Sequence, residues 1–150
     1  MTYLLDTNVL VHYLRQNEFA KEIDQTYQPF VSPNTSIISV VTIGEIKALS
    51  LKRGWGRKKN QYLETLIDSL YSADIHVKTI INEYAKIDAF SQSKLKDVPL
   101  NTSARNMGKN DIWIAATAKV LNVTLLTTDN DFNHLKDKFI KLEKIELIVK

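Results

Sequence analysis

Short apolar runs alternate with segments of helical periodicity along this chain. The run Tyr3-Leu4-Leu5 stops at Asp6, and the apolar residues that follow recur three or four positions apart, which predicts a strand, a polar turn and a helix. Residues 37–41 are mostly β-branched and bounded by Ser and Thr, so they predict a buried strand, followed by a helix over about 42–52. The chain therefore begins with two strand-then-helix units.

The alternation continues along the rest of the chain. The same criteria predict a short helix over 18–26, helices over about 57–71, 80–95 and 111–118, and strands at 75–77 and 123–126. The tail from Ile140 to Val149 alternates weakly, as an edge strand does. Strands separated by helices predict an α/β fold, a three-layer sandwich around a mainly parallel central sheet.

The composition is that of one globular domain, which we expect to span residues 1–150. Of the 150 residues, 44% are hydrophobic and 25% charged, with 4 Gly and 3 Pro, which excludes disordered and collagen-like chains. The chain has no Cys, so disulfide scaffolds, cysteine nucleophiles and thiolate metal sites are excluded. No apolar stretch approaches the ~18 residues of a membrane span, and the N-terminus lacks a signal-peptide pattern. We therefore expect a cytoplasmic protein that does not bind membranes.

The net charge of +3 is modest, but positive charge is concentrated in one segment. No Asp or Glu occurs between Glu45 and Glu64. Cations interleaved with an aromatic ring suit a phosphate backbone and a stacked base. The residues of this gap that we expect to contact RNA, here called the basic segment, are Lys52, Arg53, Trp55, Arg57, Lys58 and Lys59. The alternative is a solvated helix end in which Trp55 anchors the core.

Four carboxylates follow or flank the predicted strands. Asp6 follows the first strand and Asp129 the fourth, Glu45 lies near the start of a helix, and Asp111 opens another helix beside Asn110, a good N-cap. Each acid, taken alone, could be a structural cap. In a parallel sheet, however, all four fall at the same end, where unpaired carboxylates would repel one another.

A hard divalent cation would relieve this repulsion. With no Cys and no His nearby, oxygen ligands favour Mg²⁺ or Mn²⁺, and about two ions would balance four carboxylates. Such a site hydrolyses phosphodiesters by lowering the pKa of bound water and stabilising the leaving oxygen. Asn8, Thr127 and Thr128 would orient the carboxylates, although hydrogen bonding within turns explains these residues equally well.

The segments around these acids resemble the four acidic motifs of PIN-domain ribonucleases. The motifs are Leu4-Leu5-Asp6-Thr7-Asn8, the helical Glu45, residues 110–118 (NDIWIAATA) and residues 126–132 (LTTDNDF). Within that superfamily the chain is similar to the VapC toxins of bacterial toxin-antitoxin pairs, which are single PIN domains of about this length. The residues that carry over as catalytic metal ligands are Asp6, Glu45, Asp111 and Asp129, with Asp131 as an occasional extra or substitute.

The resemblance implies a Mg²⁺- or Mn²⁺-dependent endoribonuclease that is usually a homodimer and is silenced by a small VapB-type antitoxin. We expect a helix of that antitoxin to pack in a groove around Val11, Tyr13 and Leu14. We expect the substrate to be structured RNA such as a tRNA, because unstacked loop bases can enter a groove while an RNA helix hides its base edges.

Two other protein classes fit the residues less well. A haloacid-dehalogenase-type phosphatase needs a second Asp two residues after the first, and that position is Asn8. A phosphoacceptor receiver domain needs an acidic pair near the first strand and a late Lys, whereas the late strand ends in Thr127-Thr128-Asp129. A non-catalytic RNA-binding or scaffolding module on the same fold stays an open alternative, because residue types alone do not give the geometry of a site.

Overall fold

The computed structural model describes residues 1–147, which form a five-stranded sheet covered by helices. The elements are, in chain order, β1 (Thr2–Leu5), α1 (Thr7–Arg15), α2 (Glu18–Tyr27), β2 (Thr35–Ser39), α3 (Val40–Arg53), α4 (Arg57–Asp68), β3 (Tyr71–Ala73), α5 (Lys78–Ser91), α6 (Lys109–Leu121), β4 (Thr124–Thr127), a 3₁₀ helix (Asn130–Leu135) and β5 (Lys141–Lys144). Each helix within residues 1–147 is too short or too polar to span a bilayer.

The sheet has the strand order β3-β2-β1-β4-β5, and every pairing is parallel. The central strand β1 pairs with β2 through Leu4 opposite Ile37, and with β4 through Leu5 opposite Leu126. The carboxyl ends of all five strands therefore lie along one edge of the sheet, which we call the carboxyl edge. This topology confirms the predicted α/β sandwich around a parallel sheet.

Alternate residues of β1 and β4 face opposite sides of the sheet and start two apolar layers. Leu4 and Leu125 pack on one side with residues of α5 and α6, including the fully buried Phe90. Leu5 and Leu126 pack on the other side with residues of α1 to α4. Two helical layers thus enclose the sheet and hold its carboxyl edge as a fixed platform.

Two helix starts differ from the prediction for local reasons. The strand β2 ends at Ser39 rather than Val41, because the Ser39 hydroxyl accepts a hydrogen bond from the Val41 N–H and caps α3. Helix α6 begins at Lys109 with Gly108 as its N-cap, so Asn110 lies inside the helix and does not cap it. As predicted, Asp111 lies in the first turn of this helix.

The third strand was placed wrongly by the sequence pattern. Helix α4 ends at Asp68 and β3 follows at Tyr71–Ala73, whereas Ile75 and Val77 lie in the turn before α5. Because β3 is a three-residue edge strand with Tyr71 and Ser72 both exposed, it lacks the alternation that reveals a strand.

The ends of α5 and of the C-terminal strand also differ. Helix α5 ends at Ser91 rather than at 95, before Ser93, whose φ of 60° is left-handed. The predicted C-terminal edge strand is confirmed over Lys141–Lys144, parallel to β4. Residues 145–147 are not part of it, and the rest of its predicted span, residues 148 and 149, lies outside the described residues.

Candidate active site

Asp6 lies directly after β1 and caps the N-terminus of α1. Its Oδ1 accepts a hydrogen bond from the Thr7 N–H (2.8 Å), and its Oδ2 accepts one from the Thr127 hydroxyl (2.7 Å). The residue is only 3% exposed. The dipole of α1 favours negative charge at this position. The first residue of α1 and the last residue of β4 therefore fix both carboxylate oxygens in one orientation.

The turn after β4 carries the next two carboxylates. Thr127 is fully buried, and its hydroxyl oxygen accepts a hydrogen bond from the Asp129 N–H (3.0 Å). Oδ1 of Asp129 in turn accepts the Asp131 N–H (2.9 Å) and so caps the 3₁₀ helix. A chain of hydrogen bonds thus links the backbone of Asp131, through Asp129 and Thr127, to Asp6.

Asp111 completes a compact group of carboxylates. One carboxylate oxygen from each of Asp111, Asp129 and Asp131 lies within 4.8 Å of the other two. Asp111 and Asp129 are half-buried and Asp131 is exposed, so the group opens to solvent on one side. The sequence offered Asp131 only as an extra or substitute, but the structure places it among the clustered oxygens.

Glu45 reaches the site from the second turn of α3. Its Oε1 accepts a hydrogen bond from the Thr7 hydroxyl (2.9 Å), and the hydroxyl oxygens of Thr7 and Thr42 lie 3.2 Å apart. Since Thr7 has one hydroxyl proton, it donates to Glu45 and accepts from Thr42. Glu45 and Asp111 line the same surface cavity, where α3 faces the start of α6.

Burial and mutual repulsion raise the pKa of two of these carboxyl groups. Burial, followed by the charges of Asp129 and Glu45, raises the pKa of Asp6 to about 6, despite the two hydrogen bonds that this carboxylate accepts. Burial, followed by the charge of Asp6 and then those of Asp129, Glu45 and Asp131, raises the pKa of Asp111 to about 7. The five carboxylates are therefore close enough to repel one another.

This donor set fits a hard divalent cation. The clustered ligand atoms are all carboxylate oxygens, which is the ligand type that Mg²⁺ and Mn²⁺ prefer. The raised pKa values mean that ionising the cluster costs folding free energy at neutral pH, and a bound cation would remove that cost. Asp111, Asp129 and Asp131 could hold such an ion, with Asp6 and Glu45 beside them.

An open cleft of ≈ 810 Å³ is lined mainly by α1 and α3, and of the five carboxylates Glu45 lines it. Both helices start at the carboxyl ends of neighbouring parallel strands, so they run in the same direction away from the carboxyl edge. Glu45 lines the cleft near that edge, and Arg15, Lys52 and Arg53 line it at the last turns of the two helices. The cleft therefore has an acidic end and a basic end.

The basic segment is divided between the cleft and the surface beyond it. Trp55 is half-buried against the apolar layer of α1 to α4, and the Lys59 Nζ lies 4.1 Å from the centre of its indole ring. This cation–π contact covers one face of the ring. Two residues of the segment line the cleft, Lys52 and Arg53, and two are exposed outside it at the start of α4, Arg57 and Lys58.

The three residues expected to orient the carboxylates occupy different places. Thr127 contacts Asp6 directly. Asn8 and Thr128 line the cleft, and neither side chain hydrogen-bonds to a carboxylate among the residues that the structure describes.

Sequence reasoning missed three residues: Thr7, whose hydroxyl contacts Glu45, Thr42, whose hydroxyl contacts that of Thr7, and the cleft cation Arg15. Thr42 precedes Glu45 by three positions, so the two side chains share a face of α3, and this spacing was a usable signal. Thr7 gave no such signal, because only the packing of α1 against α3 brings it to Glu45. Arg15 lies far along α1 from Asp6 and was not singled out.

The prediction that Val11, Tyr13 and Leu14 line a groove for a partner helix is wrong for two of these residues. Tyr13 and Leu14 are buried, at 7% and 5% exposure, and the Tyr13 hydroxyl donates to Oδ1 of Asp24 (2.7 Å). They belong to the face of α1 that packs on the sheet, together with Leu10. Val11 lies at the border of this face, where it is half-buried against the same apolar layer and also lines the cleft.

Comparison with known proteins gives one family and a set of similar folds. A PIN domain profile matches residues 3–138. No curated protein matches the chain. Similar solved structures include VapBC2 from Rickettsia felis bound to a DNA fragment from their promoter (TM-score 0.73, 21% identity, covering 96% of this chain and 98% of that chain). Others are VapBC-1 from nontypeable Haemophilus influenzae (TM-score 0.70, 22% identity, 96% and 98%) and VapBC-5 from Mycobacterium tuberculosis, a member of the VapBC family of toxin-antitoxin systems (TM-score 0.62, 21% identity, 97% and 98%). At these identities the likeness is one of fold.

Proposed function

This chain belongs to the PIN domain family, and from that premise we propose that it is a divalent-metal-dependent endoribonuclease, the toxin of a VapBC-type toxin-antitoxin pair. The observation that carries the proposal is the group of carboxylate oxygens at the carboxyl edge, where Asp111, Asp129 and Asp131 approach within 4.8 Å and the charges of Asp6 and Glu45 act on Asp111. In this proposal residues 1–150 act as one nuclease domain in the cytoplasm.

Mg²⁺ or Mn²⁺ is the proposed cofactor, with the five carboxylates as its candidate ligands. When bound, such an ion supplies Lewis acidity, which lowers the pKa of water and offsets negative charge on a phosphodiester. The protein contributes orientation. Thr127 and the Thr7 N–H hold the two oxygens of Asp6, and the Thr7 hydroxyl holds Glu45. Side chains held in this way reach their working geometry before the substrate binds.

The cleft supports a nucleic-acid strand as the ligand. A phosphate at the acidic end would lie beside the carboxylates and the cofactor. Phosphates farther along the strand would meet Arg15, Lys52 and Arg53 at the basic end. The other residues of the basic segment are proposed to contact RNA beyond the cleft.

Structured RNA such as a tRNA is the proposed substrate class. The cleft is open to solvent, so it can admit unpaired bases of a loop, which an RNA helix would not present. Arg57 and Lys58 are exposed outside the cleft and could meet phosphates of a folded target that a short oligonucleotide lacks.

A VapB-type antitoxin is the proposed partner, and a homodimer is the proposed assembly. The similar folds described above come from VapBC complexes, which supports a partner of that type. Val11 and the apolar residues beside it in the cleft, such as Ile75 and Trp113, offer a surface for a helix of the antitoxin.

Cleavage of total RNA tests the enzymatic part of the proposal. Purified protein with Mg²⁺ or Mn²⁺ should cut at a few sharp sites in structured RNA, identified by mapping new 5′ ends, and a chelator or Asp6→Asn should abolish the cuts. Asp68→Asn, which changes an exposed acid at the end of α4, is the matched control. Cuts scattered through messenger RNA would contradict the substrate class, and no cleavage with either metal would contradict the nuclease.

The toxin role has a separate test. Expression of the chain alone should arrest growth, and co-expression of a small open reading frame that abuts or overlaps this one should restore it. A chain that is tolerated alone and has no such neighbour would not be a toxin, although the nuclease proposal would stand.

A further inference from the structure

His12 lies on the face of α1 that lines the cleft. It shares this face with Asn8, Val11 and Arg15, which are spaced three and four residues apart. The imidazole is half-buried, and the ring of Phe19 packs edge-on against it with the ring centres 5.2 Å apart. The ring is therefore held in position although it lies at the wall of an open cleft.

Asn17 determines which ring nitrogen of His12 carries the hydrogen. The Oδ1 of Asn17 caps α2 by accepting the Ala20 N–H (3.1 Å), so the amide nitrogen Nδ2 is the atom that faces Nδ1 of His12 (3.0 Å). An amide nitrogen only donates, so Nδ1 must accept, and the ring hydrogen lies on Nε2. Burial and the nearby Arg15 cation lower the pKa of His12, which favours this neutral form.

The Nε2–H of His12 has no partner of its own. Among the residues that the structure describes, no hydrogen bond engages it, and the one buried side-chain polar atom without a partner is Nδ1 of His134. Nε2 is therefore not fully buried, and His12 lines the cleft. A fixed, neutral and unused donor is available to whatever occupies the cleft.

The position of His12 along the cleft restricts what that occupant can be. At 1.5 Å per residue, His12 lies about 9 Å along α1 from Asp6, and Arg15 about 14 Å from it. On α3, Lys52 lies about 10 Å from Glu45. With the proposed divalent cation bound at the carboxylates, a ligand that uses both ends of the cleft would carry one anionic group beside that cation and another at the basic residues, with acceptors between them. A single strand of RNA has this pattern, since ribose and base acceptors lie between successive phosphates.

We propose that His12 is a substrate-binding residue, whose Nε2–H donates to a base or ribose acceptor of a single-stranded RNA segment lying in the cleft. This inference rests on the proposed ribonuclease function. It adds a contact with the nucleoside to the proposed contacts with the phosphates. Because the donor is neutral, its contact releases no counterion, which separates its role from that of Lys52 and Arg53.

Binding of a labelled single-stranded RNA of about 12 nucleotides tests the inference, with Asp6→Asn as the parent protein so that the strand stays intact. His12→Phe keeps an aromatic ring against Phe19 but has no donor. We expect it to weaken binding roughly 3- to 10-fold, as the loss of one hydrogen bond does. The negative slope of log K against log salt should stay that of the parent, whereas Lys52→Ala should make it shallower by about 0.7.

Two further variants separate donation from packing. Phe19→Leu removes the ring against His12 but keeps the donor, and should bind within about 2-fold of the parent. Asn17→Ser keeps a helix cap but removes the amide that faces Nδ1. In that variant, nitrogen NMR of the imidazole should show a mixture of tautomers in place of the single Nε2–H form, and RNA affinity should fall about 2-fold.

The outcomes distinguish this inference from the function on which it rests. If the parent binds RNA and His12→Phe binds equally well, the inference is overturned while the nuclease proposal stands. Equal losses in His12→Phe and Phe19→Leu would assign His12 to packing, and a changed salt slope in His12→Phe would assign it to charge; either result overturns the inference. A parent that binds no RNA would overturn both the inference and the proposed function.

Discussion

Thr127 donates a hydrogen bond to Oδ2 of Asp6 over 2.7 Å, although the two residues lie 121 positions apart in the chain. The same hydroxyl accepts the Asp129 N–H, so one buried side chain orients two candidate metal ligands. Both its proton and a lone pair are used inside the site. An apolar residue of the same shape would leave a buried carboxylate oxygen and a backbone N–H without this partner.

Replacing Thr127 should therefore damage both stability and metal binding. We expect Thr127→Val to lower the free energy of unfolding by about 1–3 kcal/mol, the cost of unpaired buried polar groups. Mg²⁺ or Mn²⁺ affinity should fall roughly 10- to 100-fold, because Asp6 loses its orienting partner. Denaturant unfolding and metal titration measure the two effects. Thr127→Ser keeps the hydroxyl and should retain most of the affinity; an equal loss in Ser and Val variants would contradict this role.

Removing a charge from the carboxylate group should abolish activity but not stability. Asp6→Asn keeps the size of the side chain and its ability to cap α1, while it removes a buried charge whose pKa is raised to about 6. In metal-free protein near pH 8 we expect the free energy of unfolding to rise by up to ~3 kcal/mol, the equivalent of that pKa shift. RNA cleavage should be lost. Denaturant unfolding and a cleavage assay test this, and a strongly destabilised Asp6→Asn protein would contradict it.

The raised pKa values also predict how stability depends on pH. Asp6 and Asp111 bind protons more tightly in the folded chain, so their contribution to stability falls as pH rises from about 4 to about 7. His12 and His134 have lowered pKa values and act in the opposite direction. The double variant Asp6→Asn/Asp111→Asn keeps both histidines. Subtracting its free energy of unfolding from that of the unmodified protein therefore removes their contribution.

Thermal unfolding across this pH range measures that difference. Without metal, the unmodified protein should lose stability relative to the double variant as pH rises. Saturating Mg²⁺ or Mn²⁺ should reverse this loss in the unmodified protein only. Parallel pH curves for the two proteins would show that burial and repulsion do not raise the pKa values of Asp6 and Asp111 in the folded chain.

Thr7 is expected to support turnover through Glu45. Thr7→Val removes the hydroxyl that donates to Oε1 of Glu45, so this carboxylate loses its fixed orientation. Thr42 can turn its hydroxyl to a backbone carbonyl one turn back, so stability should fall by less than about 1 kcal/mol. We expect kcat to fall roughly 10-fold with little change in KM. Thr7→Ser is the control and should restore kcat; a change confined to KM would assign Thr7 to substrate binding.

The two parts of the basic segment should contribute unequally to RNA binding. Lys52→Ala and Arg53→Ala remove cations that line the cleft, and with a short single strand each should make the negative slope of log K against log salt shallower by about 0.7. Lys58→Ala is the matched control outside the cleft, and with a short single strand it should leave the slope unchanged. With a folded tRNA, Lys58→Ala should also make the negative slope of log K against log salt shallower. Equal effects of all three variants on the short strand would place RNA outside the cleft.

The strongest local signals predicted the elements that build the site. The apolar run of β1 and the small-residue periodicity of α6 mark their elements because both are buried. The strand β3 was misplaced, since a three-residue edge strand with two exposed side chains has no pattern to detect. Helix boundaries were off by a few residues where a cap such as Ser39 ends the strand early.

By itself, the sequence determined the chemistry that is available and the edge of the sheet where it lies. The absence of Cys and the positions of Asp6 and Asp129 after strands predicted to be parallel imply an all-oxygen group at one end of the sheet. This much follows from the sequence because hydrophobic periodicity and the alternation of strands and helices along the chain are local properties. Only the tertiary structure decided which hydroxyl holds which carboxylate, that Asp131 joins the cluster, and that Lys52 lines the cleft while Lys58 does not. These contacts join residues far apart in the chain, and their geometry depends on how α1, α3 and α6 pack around the sheet, which no local pattern encodes.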